Sequence, residues 1–92
     1  MEEILERFPE YAVAHAIQAY NVNLINQVWC KAIHVKALNT RIANRVQIPA
    51  LLEEIKNLLQ QLNKEYLHPH VEMEITNALN QLPKAYRIQY AA

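Results

Sequence analysis

The sequence predicts an all-α domain: a compact bundle of four to five helices, with one long amphipathic helix over about residues 24–46. Three observations predict it. Apolar residues recur at about 100° per residue through most of the chain. Four prolines, Pro9, Pro49, Pro69 and Pro83, stand where helices begin, because the first helical position tolerates a missing amide proton. The 92 residues include no glycine, the usual helix terminator, and show no repeat, low-complexity tract or linker, so residues 1–92 read as one helical unit with short connections.

After Pro9, the segment Tyr11–Tyr20 is rich in alanine (Ala12, Ala14, Ala16, Ala19), with high helix propensity and no clean polar face, which predicts a helix packed on more than one side. Asn21 and Asn23 offer a break, since asparagine tolerates a left-handed helix end and also caps a new helix. The alternative is one continuous rod from Pro9 to Val46. From Leu24 onward, Ile25, Val28, Trp29, Ala32, Val35, Ile42, Ala43 and Val46 fall on one stripe. Following Pro49, the positions Leu51, Leu52, Ile55, Leu58, Leu59, Leu62 and Tyr66 give the strongest helical pattern in the chain, with Glu53 and Glu54 near its positive end. Following Pro69, Val71, Ile75, Ala78, Leu79 and Leu82 form another apolar face that must stop or kink before Pro83. Residues 84–92 are either a short helix or an extended C-terminal arm, because Tyr86, Ile88 and Tyr90 alternate as in a strand.

Composition removes several chemistries. Without glycine there is no phosphate-cradling loop, and without aspartate there is no EF-hand and no Asp-based phosphoryl transfer. The chain has no serine, so serine nucleophiles are excluded. Cys30 and His34 lie one turn apart, as ligand pairs often do, and His68, His70 and Glu72 are candidate companions. No second cysteine and no His-Glu-x-x-His spacing supports a metal centre. A ring in His68-Pro69-His70 serves equally well to cap a helix start. The expectation is therefore no metal, no cofactor and no catalytic residues, since a Cys30–His34 nucleophilic pair lacks an orienting third group and a glycine-built oxyanion loop.

Net charge is zero, so only local charge argues for a polyanionic partner. No acidic residue occurs between Tyr11 and Leu52, and Lys31, His34, Leu38, Arg41 and Arg45 recur at three- and four-residue steps as a candidate partner-binding face. The proportion of hydrophobic residues, 52%, is high for so small a core and points to a homodimer. The expected interface is the stripe Ile25, Val28, Trp29, Ala32, Val35, Asn39, Ile42 and Val46, with Asn39 bonding its symmetry mate at a heptad position.

One cysteine cannot form an internal disulfide, which fits a reducing cytoplasm. The uncharged run Tyr11–Cys30 has the length of a membrane span, but it carries six amide or imidazole groups, so no membrane crossing is expected. The N-terminus has acids where a signal peptide would be basic. No motif identifies a reaction or a ligand. The expected function is a non-catalytic adaptor or regulatory module that recognises another protein through helix faces, with Trp29, Ile33 and Leu38 as anchors. The competing reading is a small nucleic-acid-binding regulator, a repressor or a phage- or plasmid-type factor, using Lys31, Arg41 and Arg45. A turn presenting a short recognition helix would favour the regulator, and an unbroken rod from Leu24 to Val46 the adaptor.

Overall fold

The computed structural model describes residues 9–90, with side chains from Val13 onward. Three α-helices are present among them rather than four or five: α1 (Pro9–Leu38), α2 (Ile48–Gln60) and α3 (Pro69–Leu79). Three short 3₁₀ segments, Ile42–Gln47, Lys64–Tyr66 and Lys84–Tyr86, link or extend them, and no strand occurs among the described residues. α1 is the spine, and both shorter helices pack mainly on it rather than on each other.

Two expected helix boundaries move. The break at Asn21 and Asn23 is absent, since α1 runs unbroken through both. The reason is that Asn21 sits in the middle of the buried stripe, seven residues before Val28 and four before Ile25, and is fully buried. Its amide is satisfied from outside the helix: Nδ2 donates to the Asn63 carbonyl at 3.0 Å, and the Asn63 N–H donates to Oδ1 at 2.8 Å. A buried amide with both ends bonded has no need to break its own helix.

The second move is at the other end, where the long helix stops at Leu38 instead of Val46. Thr40 Oγ1 donates back to the Ala37 carbonyl at 2.7 Å, and the Thr40 and Arg41 amides close three-residue turns on Ala37 and Leu38. Ile48 and Ile55 are completely buried, and the chain must reverse within this stretch to lay them against Val28, Ala32 and Val35 of the same core. Packing therefore ends the helix before Pro49 does. Asn39 consequently lies at the end of α1, half-buried, not at the centre of an apolar stripe, and its carbonyl accepts from Arg45 Nε and Nη2, both at 3.3 Å.

The proline signals hold, since Pro49 and Pro69 each sit in the first turn of their helices. The His68 ring caps α3 in the way the His-Pro-His reading allowed, with Nδ1 accepting from the His70 amide at 3.2 Å. Leu62 and Tyr66 lie beyond the end of α2, and Leu82 lies beyond α3, although Leu62 and Leu82 are buried. After the Lys84–Tyr86 turn the tail runs without regular structure, and Tyr86, Ile88 and Tyr90 pack on the core. Arg87 Nη2 donates to the Asn80 and Leu82 carbonyls at 3.2 and 3.1 Å, satisfying groups left open by the end of α3.

Replacing the buried amide tests this architecture. Asn21→Ala leaves the Asn63 N–H and C=O without partners, and it is expected to lower unfolding free energy by about 1–3 kcal/mol in denaturant titration. Asn23→Ala, on the exposed side of the same turn, should stay within about 0.5 kcal/mol of wild type.

Candidate protein-interaction surface

The residues expected to form one basic face are dispersed by the fold. Lys31 Nζ pairs with Glu54 Oε2 of α2 at 3.2 Å, an exposed bridge worth under about 1 kcal/mol. His34 is exposed on α1, Leu38 belongs to the core, and Arg41 and Arg45 lie beyond the end of the helix. A straight row along one helix therefore does not exist, because the helix that would carry it ends at Leu38.

The expected dimer stripe is divided in the same way. Ile25, Val28, Ala32 and Val35 are at most 3% exposed, covered by α2 and α3 of their own chain. They are core residues and present no surface to a second copy. Trp29 is partly buried against that core. Ile42 and Val46 are at the opposite extreme, 79% and 81% exposed, the highest values among the exposed large hydrophobics of the described residues. Of the expected anchors only Ile33, at 52%, is openly exposed.

What the fold assembles instead is a ridge at one end of the molecule, built by the 3₁₀ segment Ile42–Gln47, which has no buried residue. Three residues per turn place Ile42 and Arg45 in one row and Ala43 and Val46 in the next. Arg41 precedes the ridge, and Lys36 lies exposed in the last turn of α1. Arg45 is held from behind by the Asn39 carbonyl, which orients the guanidinium and leaves its remaining N–H groups free for a carboxylate or phosphate. Among the described residues the ion pair is that of Lys31 with Glu54, and Lys36, Arg41 and Arg45 have no carboxylate within bridging distance.

A concavity of about 320 Å³ lies between α1 and α3. Val22, Asn26 and Trp29 form one wall, and His70, Met73 and Glu74 the other. The five residues considered for metal binding do not converge: among the described residues no group of three or more His, Cys, Asp or Glu side chains could hold an ion. Cys30 is exposed, and His68 and His70 stack on each other with ring centroids 5.1 Å apart. No described helix is long and apolar enough to cross a membrane. The rod from Leu24 to Val46 is broken, but the break leads into a six-residue 3₁₀ segment rather than a recognition helix, so neither expected discriminator is met.

Asn21 and the ridge were missed by sequence reasoning for different reasons. The Asn21 signal was present in its spacing to Ile25 and Val28. Exposure of Ile42 and Val46 had no local signal, since apolar residues at helical spacing ordinarily mark a buried face. Comparison of the chain with known protein families, curated proteins and solved structures gives no match.

Docking of the tail produces one pH-sensitive group. Tyr90 has its phenol held above the ordinary value of 10.0, first by burial and then by the nearby charge of Glu72. Lys64 Nζ also lies 5.7 Å from the ring centre. The fold thus favours the protonated phenol, and the associated stability is present below pH 10 and lost as pH rises through the raised value. Tyr90→Phe should therefore flatten the alkaline loss of stability in thermal melts taken through this range. A loss identical to wild type would show that the tail leaves the phenol unperturbed.

Proposed function

We propose that this chain is a non-catalytic protein-interaction module, an adaptor or regulatory unit of the cytoplasm that works as a homodimer. Its recognition surface is the ridge Ile42–Gln47, and its partner is a protein segment with an acidic, amphipathic helix. The observation that carries the reading is the exposure of Ile42 and Val46, 79% and 81%, on a segment flanked by Arg41 and Arg45. Two branched aliphatic side chains with almost no contacts in their own fold gain on entering an apolar pocket, each by roughly 1.5–3 kcal/mol if buried fully. The flanking cations steer approach and set orientation, and an acidic partner is the complement that three uncompensated positive charges select.

This is the expected mechanism of apolar anchors beside basic residues, carried by a different element. Leu38 leaves the set of anchors because it is in the core, and Lys31 leaves the set of free cations because it is paired. Arg41 and Arg45 keep their role.

A second reading, a weak nucleic-acid-binding regulator, draws on the absence of acidic residues from Tyr11 to Leu52 and on the same cations. Three or four phosphate contacts support only weak, strongly salt-dependent association. Binding to mixed-sequence duplex DNA should be weak at physiological salt and collapse as salt rises.

The two readings separate with synthetic helical peptides that share one apolar face and differ in having a glutamate or a lysine polar face. The glutamate-faced peptide is expected to bind, the lysine-faced one not. Ile42→Ser with Val46→Ser should weaken binding at least about tenfold while leaving stability within about 0.5 kcal/mol, since neither side chain is in the core. Equal binding of both peptides, or binding unchanged in the double variant, counts against the ridge.

A further inference from the structure

Exposed apolar side chains are not scattered evenly over this molecule. Five of the eight large hydrophobics open to solvent among the described residues, Val22, Ile33, Ile42, Val46 and Met73, belong to the ridge, to the concavity between α1 and α3, or to the line that joins them. Val22, Asn26, Trp29 and Ile33 recur at four-, three- and four-residue steps, so the α1 wall of the concavity continues along one side of the helix through Ile33 toward Lys36. About 18 Å of helix separates Asn26 from Leu38, after which the chain turns into the ridge. The ridge therefore does not reach the concavity of its own chain, and Arg45 is tied at the far end of the line by the Asn39 carbonyl.

We infer that the ridge of one copy docks in the concavity between α1 and α3 of a second copy, and the second copy's ridge in the first, so that two reciprocal contacts close a two-fold dimer. This contact rests on the homodimer reading and on the ridge as the recognition surface, and it names one partner for that ridge. The partner is α3 of another molecule, an amphipathic helix that carries Glu72 and Glu74 and no lysine or arginine. Shape fits the pairing, since a concavity of about 320 Å³ is at the low end for a small-molecule site and suits one or two aliphatic side chains. Val22, Trp29 and Met73 give it an apolar lining for Ile42 or Val46.

Charge selects the same pairing. Glu74 is the acidic residue of the concavity's wall, and no lysine or arginine lines it. Among the described residues neither Glu74 nor Arg45 has an opposite charge within bridging distance. Asn77 Nδ2 donates to Glu74 Oε1 at 3.4 Å, which leaves Oε2 for a guanidinium. Arg45 stands directly before Val46 in the ridge, so seating the aliphatic side chains brings its cation to the rim that holds this carboxylate. A free organic cation would answer Glu74 and leave Ile42 and Val46 in water, whereas a second copy answers the carboxylate and covers the ridge as well.

Reciprocity sets the axis. The concavity and the ridge stand at the two ends of the line from Val22 to Lys36, so reversing one copy and laying the two lines together places each ridge at the other's concavity. Ile33, between the two and 52% exposed, then meets its symmetry mate near the axis. An isologous contact of this kind uses each surface once and stops at two copies. It begins at Val22, about 20 Å along α1 from Pro9.

Analytical ultracentrifugation of the full chain across a concentration series tests the proposal, with Arg45→Glu and Glu74→Arg as paired probes. Wild type should sediment as a dimer and no larger. Either reversal alone sets like charges against each other at both contacts and should raise the dissociation constant about tenfold or more. Mixed in equal amounts, the two variants should recover wild-type association, because a heterodimer of the two again has opposite charges at both contacts. Circular dichroism melts establish that each variant is folded. A wild type that is monomeric throughout overturns the homodimer reading and this contact with it. A dimer indifferent to both reversals leaves that reading standing and overturns this contact, as does a mixture that fails to recover. Growth beyond the dimer overturns the closed two-fold arrangement. Glu74→Arg leaves the ridge itself intact, so binding of the glutamate-faced peptide to this variant reports on the ridge as a recognition surface separately from self-association.

Discussion

The Asn21 carboxamide joins two parts of the chain 42 residues apart, bonding both the N–H and the C=O of Asn63. Asn63 lies between α2 and α3, where the backbone leaves one helix before the next begins and has polar groups that no helix satisfies. A side chain able to donate and accept at once is what that position requires. Asn63 then uses its own Oδ1 to accept from the Glu65 amide, starting the next 3₁₀ turn, and His68 caps α3 three residues later. A succession of polar contacts therefore leads from the middle of α1 to the first turn of α3. Without the first of them, the placement of α3 would rest on apolar packing alone, which is non-directional.

A chain without glycine must turn by other means. No described residue has a positive φ, and α2 and α3 both end in ordinary right-handed conformations. Reversals are made by three-residue hydrogen-bonded turns at Thr40–Arg41, Gln61–Leu62 and Gln81–Leu82. The first of these leads into Ile42–Gln47, which never returns to the core. This way of turning is bulkier than a left-handed cap, and at the end of α1 it projects side chains outward. The exposed aliphatic ridge and its cations are products of how the chain reverses.

Unequal helix lengths have the opposite consequence at the other end of α1. The molecule measures 55 × 22 × 17 Å, with a radius of gyration of 15.9 Å where a compact domain of this length has about 12 Å. Two short helices can close only the part of α1 that they span. Beyond that part Val13, Tyr20 and Val22 stay exposed, within a run from Tyr11 to Cys30 that carries no charged side chain. One end of the spine is thus basic and anchored by aliphatics, while the run from Tyr11 to Cys30 carries no charged side chain.

The sequence by itself determined the all-α class, the first turns of α2 and α3 at Pro49 and Pro69 and the apolar face from Ile25 to Val35, because each depends on local chemistry or on period alone; it offered a histidine cap before α3 as one of two readings. Periodicity also contained Asn21's place on the buried stripe, but asparagine's usual association with helix ends concealed it. Tertiary structure decided what periodicity cannot carry. The stripe from Ile25 to Val46 reads as continuous along the chain, yet burial of Ile48 and Ile55 forces a reversal after Leu38, so its first half becomes core and its last two anchors become surface. Spacing likewise groups Lys31, Arg41 and Arg45, whereas Glu54, brought alongside by the packing of α2, removes Lys31 from the set. A helical repeat states which residues share a side of a helix, but which side is covered, and how far, depends on the length and path of the other helices.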